Sequence, residues 1–195
     1  PMTDRYADID TVSISLRELL AYTLQMSDNN ASDILLKRAG GAGRVESYIR
    51  SLGVDDIDIR WSEAEMHADT ARCRDNSCTP LAMAALLSRF DAADNDTLTA
   101  EIKRLMETCA TGTDRLLPPL SEAGALLGHK TGTGDINPDG RPQAINDVGY
   151  VHTPDGRHVY SIAVFISDSS YDIQSTSAMI AEISRMVYER VARQK

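Results

Sequence analysis

Gly128-His129-Lys130-Thr131-Gly132-Thr133-Gly134 follows an apolar run, Ala125-Leu126-Leu127, and precedes a turn-rich segment over 135–142. That context predicts a strand whose end leaves a sheet as a glycine-rich, polar edge. Glycines there let a substrate approach the backbone closely, and Lys130 sets a positive charge beside exposed N–H groups. Such an edge can orient an anionic substrate and stabilise a developing oxyanion. Lys-Thr-Gly alone is also compatible with an ordinary turn, so its weight rests on what accompanies it.

Downstream, 144–153 and 157–167 have strand-like composition, like 125–133, and Thr153-Pro154-Asp155-Gly156 between the last two reads as a hairpin turn. Residues 175–192 form an amphipathic helix with Ile180, Ile183, Val187 and Val191 along one stripe. Upstream the period changes to that of helices. Ser15-Leu16-Arg17-Glu18 has the form of a capping box, and Leu16, Leu19, Leu20 and Leu24 follow at helical spacing to about residue 26. Ser27-Asp28-Asn29-Asn30 interrupts, then 31–39 ends at Gly40-Gly41 and 44–52 ends at Gly53. Residues 54–61 read as a short extended piece, and 62–79 as a long polar surface loop, a feature usually functional or disordered in a compact domain. Thr79-Pro80 reads as an N-cap and first-turn proline before a helix over 81–90, with another over 98–108. Pro118-Pro119 marks the exit from the helical part, and residues 1–12 read as irregular. The fold class is therefore α+β within one domain: a mainly helical subdomain over 13–118 carrying the loop 62–79, then an antiparallel meander covered by a C-terminal helix over 119–195.

The chain has 195 residues, enough to bury a real core. Its net charge of −9 argues against a general nucleic-acid or membrane-surface binder. No apolar run approaches the roughly 20 residues that span a bilayer. Pro1-Met2-Thr3-Asp4-Arg5 lacks the apolar core of a signal peptide, which leaves the compartment open. Cys73 and Cys78 are compatible with a small disulfide or with free thiols, and Cys109 stands apart. With no C-x-x-C and no H-x-x-x-H, neither a metal nor another cofactor is expected.

Two further stretches could carry chemistry. Ser27-Asp28-Asn29 is either a helix–helix turn or a turn presenting a hydroxyl and an amide to a substrate. In Glu63-Ala64-Glu65-Met66-His67, Glu63 and His67 would meet if a helical turn forms, and a carboxylate beside an imidazole can hold and deprotonate a water. The same stretch also fits a solvated acidic loop.

Together, Ser-Asp-Asn, a loop glutamate and Lys-Thr-Gly, in this order, are the marks of serine β-lactamases and penicillin-binding proteins. The chain resembles the class A β-lactamase family over nearly all its length. The Glu63-x-x-Met66-His67 form, with histidine where most members have asparagine, resembles a divergent extended-spectrum branch. The resemblance implies that Ser27 relays a proton to the β-lactam nitrogen and Asn29 binds the substrate's side-chain amide. It implies that Glu63 activates the deacylating water and His67 helps place it. Lys130 would bind near the substrate carboxylate and tune Ser27, helped by Thr131, Gly132 and Thr133, with the Thr133 N–H as half of an oxyanion hole. Arg115, in Thr111-Gly112-Thr113-Asp114-Arg115, matches a position where some members keep a carboxylate-binding arginine.

One departure stands out. The family's nucleophile lies in a Ser-x-x-Lys motif, but the residues three before each lysine are Ile34, Ala100, Leu127 and Ala192. The resemblance thus implies an N-terminally incomplete chain, missing the nucleophile helix and the first strands, and inactive alone. The implied substrates are β-lactam antibiotics, and the implied setting is a monomer that is periplasmic or secreted. Rival readings are a D,D-peptidase or penicillin-binding protein, which lacks a dedicated deacylating base, and a non-catalytic binding fragment. Two weaker matches fail on their own spacing. The calcium-loop pattern opening at Asp135 has Asn146, not glutamate, at its twelfth position, and the phosphate-loop pattern over 124–131 is one residue short.

Overall fold

The computed structural model of the chain describes residues 1–94 and 96–194; Asn95 and Lys195 lie outside the described residues. The N-terminal stretch, expected to be irregular, contains a short helix, α1 (Met2–Tyr6). Polarity misleads there because one buried side chain suffices to dock it. Met2 packs with Leu19, Tyr22 and Ala31, and its N–H donates to the Asp28 carboxylate at 2.6 Å. Helix α2 (Leu16–Met26) starts at the predicted capping box: the Ser15 hydroxyl accepts from the Glu18 N–H, and the Glu18 carboxylate accepts from the Ser15 N–H. Helix α3 (Asn29–Arg38) starts at Asn29 rather than Ala31, because Asp28 is its N-cap and accepts from the Ala31 N–H at 2.9 Å. Helix α4 (Ala42–Ser51) follows the Gly40-Gly41 break.

Strand β1 (Ile57–Asp58) pairs antiparallel with β2 (Ser77–Cys78), with Ile57 opposite Cys78. The segment between them, expected to be a long polar loop, is internally built. It contains α5 (Glu63–Ala68) and a 3-10 turn over Thr70–Arg74. A six-residue helix is too short to display a period, but its cap is present: the Ser62 hydroxyl accepts from the Glu65 N–H, and Glu65 answers to the Ser62 N–H. Asn76 closes the neck of the segment, accepting from the Arg60 and Trp61 N–H groups and donating to the Trp61 carbonyl. Its paired ends and self-packed interior are those of an Ω-type loop.

Helices α6 (Pro80–Asp91) and α7 (Thr97–Glu107) follow the predicted spans to within a residue at each end. Pro118 and Pro119 do not mark the exit from helix; they sit in the first turn of α8 (Leu117–Glu122), where a missing N–H costs nothing. Strands β3 (Leu126–Thr133), β4 (Ala144–His152) and β5 (Val159–Ser167) form the expected antiparallel meander, and α9 (Ile173–Ala192) closes the chain. Among the described residues no helix is long and apolar enough to cross a membrane.

Alternation along the strands sends side chains to two helical layers. On one face Leu127, Ile145, Val151 and Ile162 pack with Leu116 and Leu120 around α8 and with Ile180 of α9. On the other, Tyr150 packs with Leu87 of α6 and Met106 of α7. Several of these side chains are wholly buried, each contributing about 2 kcal/mol of transfer free energy. Gly128 lies directly opposite Tyr150, and a Cβ added there would stand 2.2 Å from the phenol ring. That bare backbone lets Tyr150 lie across β3 and fixes the register in which Lys130 opposes Val148. Gly128→Ala should therefore cost about 3 kcal/mol through overpacking. Urea denaturation of both forms measures it, and an unchanged midpoint would show that this contact does not hold the register.

Candidate active site

Ser27 is the C-cap of α2 and sits in the left-handed region at φ 56°, ψ 41°. A non-glycine residue pays about 1–2 kcal/mol there, but the turn swings its hydroxyl out between α2 and α3. Lys130 comes from the opposite wall. Its ammonium donates to Ser27 Oγ and, at 2.6 Å, to the Thr131 carbonyl. Asn29 opens α3, and its amide nitrogen lies 2.8 Å from His67 Nε2. Glu63 and His67 fall on one face of α5, as four-residue spacing in a helix requires. Asp33 holds α5 in place, its carboxylate accepting from the Glu63 N–H at 2.7 Å and the Ala64 N–H at 2.9 Å.

Ser27, Asn29, Glu63, His67, Lys130, Thr131, Gly132 and Thr133 thus line one cleft of about 260 Å3. Two of its groups are biased away from their charged forms. Burial, and then the Asp33 charge, raises the Glu63 pKa above the usual carboxylate range, partly offset by His67 and Lys130. Burial lowers the Lys130 pKa below that of an ordinary lysine. A lysine in contact with a hydroxyl can shuttle a proton through it, and a carboxyl so biased can take one from water. Among the described residues no group of three His, Cys, Asp or Glu side chains could hold a metal. Cys73, Cys78 and Cys109 are all free thiols.

Arg115 does not line the cleft, contrary to the direct carboxylate-binding role expected for it. It is only 5% exposed, and its guanidinium donates to the Gly132 carbonyl at 2.9 Å, the Asn146 carbonyl at 2.8 Å and Thr133 Oγ1 at 2.7 Å. The planar fork is occupied in tying β3 to β4, and it reaches the cleft through the Gly132 carbonyl and the Thr133 hydroxyl. Backbone carbonyls compete for an arginine, and sequence does not display them.

Three supporting groups escaped the sequence reading. Asp33 could have been found from its place one helical turn after Asn29. Thr111, whose hydroxyl lies 2.6 Å from Thr131 Oγ1, belongs to the Thr111–Arg115 stretch but has no motif of its own. Gly112 at φ 62° permits that approach, since a Cβ would meet Thr131 at 2.3 Å. Beneath Lys130, on the other face of β3, the buried His129 imidazole lies 2.9 Å from Asp147, which also accepts from the Leu116 N–H at 3.1 Å.

A sequence profile described as the beta-lactamase enzyme family matches residues 5–191. A β-lactamase of Bacteroides uniformis is 39% identical over 192 residues, covering 97% of this chain and 64% of the relative. The extended-spectrum β-lactamase PER-1 of Pseudomonas aeruginosa is 34% identical, covering 92% and 58% respectively. The chain therefore spans about three fifths of the length of these relatives. Among solved structures, a class A β-lactamase from Bacteroides cellulosilyticus superposes with a TM-score of 0.91 at 36% identity, covering all of this chain and 69% of that one. The TLA-1 extended-spectrum β-lactamase gives 0.92 at 35%, covering 99% and 70%.

The bias at Glu63 has a measurable cost. A carboxyl whose pKa is raised on folding adds stability below its ordinary pKa, and that stability is lost as pH rises through the raised folded value. Glu63→Gln should therefore raise the melting temperature at neutral pH and lose this advantage below about pH 4, where both forms are neutral. Melting curves across pH test this; an advantage that persists in acid would assign the effect to packing instead.

Proposed function

The chain belongs to the β-lactamase enzyme family, in its class A serine branch, and from that premise we propose that it forms the proton-handling side of a β-lactam-hydrolysing site. The observation that carries the proposal is the contact of Lys130 with Ser27 across a cleft that also holds Glu63 and His67. In the proposed reaction a serine hydroxyl attacks the lactam carbonyl and gives up its proton toward the Lys130–Ser27 pair, which restores the one Ser27 donates. As the C–N bond breaks, Ser27 passes a proton to the ring nitrogen, with Lys130 supporting the transfer. Glu63 then takes a proton from a water positioned by His67. The resulting hydroxide attacks the ester carbonyl, and the serine oxygen leaves with a proton returned from Glu63.

Asn29 would bind the substrate's side-chain amide. Lys130 and the hydroxyls of Thr131 and Thr133 would hold its carboxylate, and the Thr133 N–H would supply half of the oxyanion hole. Arg115 enters this scheme as the group that orients the Thr133 hydroxyl. The attacking serine is not among these 195 residues in the Ser-x-x-Lys form, so the chain is expected to be inactive alone. A periplasmic or secreted location and a monomeric state belong to the same proposal.

A D,D-peptidase would share Ser27 and Lys130. Glu63 favours the lactamase, because a half-buried, proton-accepting carboxyl on one helix face with His67 is the group a fast deacylation needs. A non-catalytic fragment has only the missing Ser-x-x-Lys in its favour. The test is chromogenic β-lactam turnover by the chain as given and by a form extended upstream to include a Ser-x-x-Lys segment, with adducts followed by intact mass. Turnover by the extended form supports the lactamase, a persistent adduct the peptidase, and no adduct on either removes both. In the extended form Glu63→Gln should slow deacylation by about 10²–10⁴-fold and trap the acyl-enzyme; unchanged turnover would remove Glu63 from its role.

A further inference from the structure

Asp147 is wholly buried, yet nothing in its hydrogen bonding calls for a charge. Its Oδ2 accepts from the Leu116 N–H at 3.1 Å, and its two oxygens lie 2.9 and 3.1 Å from His129 Nδ1. The carbonyl oxygen of an asparagine could accept from both groups with its two lone pairs. A neutral imidazole donates from Nδ1 as well as a charged one, so the contact does not require a cation at His129. Burying a carboxylate costs more than burying an amide, and a charge at this position therefore needs a counterpart elsewhere.

Two cations stand close by. Asp147 lies opposite Thr131 in the β3–β4 register, one position from Lys130. Lys130 is committed to Ser27 Oγ and the Thr131 carbonyl, and Arg115 to the Gly132 and Asn146 carbonyls and Thr133 Oγ1. All of these partners are neutral. Burial lowers the Lys130 pKa; Cys109, Asp147 and Glu63 act to raise it, and Arg115 lowers it further. We propose that Asp147 is a positioning residue that acts through Lys130: its negative charge, fixed on the α8–α9 face of the sheet, keeps the Lys130 ammonium charged and so donating to Ser27. The charge balance stands on the chain itself. That a charged Lys130 serves proton transfer at Ser27 rests on the function proposed above.

The other groups around Lys130 are less suited to this task. A thiol such as Cys109, 3.3 Å from Thr111 Oγ1, carries charge only as its thiolate. Glu63, on α5, is biased by burial toward its neutral form, and His67 on the same helix can add only positive charge. Asp28 is balanced at the start of α3, where it accepts from the Met2 and Ala31 N–H groups. Asp135, beyond the end of β3, is exposed and screened by solvent.

The test is NMR of the 195-residue chain without substrate, following the Lys130 side-chain Cε and Nζ signals through their titration. Removing the anion favours the neutral amine, so Asp147→Asn should lower the Lys130 midpoint by about one pH unit, the low end of the effect of a nearby opposite charge. His129→Gln disturbs the same buried cluster but keeps the carboxylate and an N–H donor to it, and should leave the midpoint in place. An unchanged midpoint in Asp147→Asn, or an equal fall in His129→Gln, would assign Asp147 to packing alone and overturn the proposal. If Asp147→Asn does not fold, the unaltered chain decides: its Asp147 carboxyl carbon should respond at the Lys130 midpoint, and a signal that stays flat there overturns the proposal. None of these readouts uses a β-lactam, so a failure to hydrolyse one counts against the proposed function alone.

Discussion

The cleft depends on one half-buried ammonium group. Lys130 leaves β3 on the face away from α8 and α9, and it meets Ser27 across 103 positions of sequence. The contact exists only in one strand register. A slip of one residue would turn Lys130 to the α8–α9 face and put His129 or Thr131 in its place opposite Ser27. The register is in turn held from both sides of the strand. Tyr150 lies on the bare backbone of Gly128, while Arg115 and the His129–Asp147 pair bind β3, β4 and the start of α8 together. Burying the lysine weakens its charge, and the packing that fixes the strand makes that burial bearable.

Much of this was legible in the sequence, and for definable reasons. The long helices and the three-strand meander announce themselves because their apolar residues recur over many turns or pleats. The cleft residues Ser27, Asn29, Glu63, His67, Lys130, Thr131, Gly132 and Thr133 were legible because each belongs to a short motif, and the structure brings all of them together. What escaped is of two kinds. Helices α1, α5 and α8 have five or six residues, too few for a period to appear, and only caps or a first-turn proline betray them. Asp33, Thr111 and the true engagement of Arg115 depend on partners far along the chain, several of them backbone atoms, which no local pattern encodes.

The loop from Thr111 to Arg115 shows how such partners are recruited. Gly112 at positive φ lets the backbone come down on Thr131, so the Thr111 hydroxyl reaches Thr131 while Arg115 reaches past to Thr133. Two successive outward hydroxyls of the Lys-Thr-Gly-Thr edge are thereby oriented from behind. A hydroxyl that already has a neighbour on its inner side is committed in how it meets a ligand on its outer side, which is what preorganisation of an anion site requires.

Stability costs also gather in this cleft. Ser27 occupies a backbone region that disfavours a side chain, Glu63 and Lys130 are each buried against their charged forms, and the Thr23 hydroxyl lining the cleft is buried with no partner among the described residues. A sequence under selection for folding alone would have relaxed these, with glycine at 27 or a neutral amide at 63. Their concentration in one place marks the cleft as functional without appeal to any motif. The kind of cost is informative as well. Ser27, Glu63 and Lys130 are each groups able to hold or pass a proton. In the function proposed above, these groups carry the acid–base part of the chemistry.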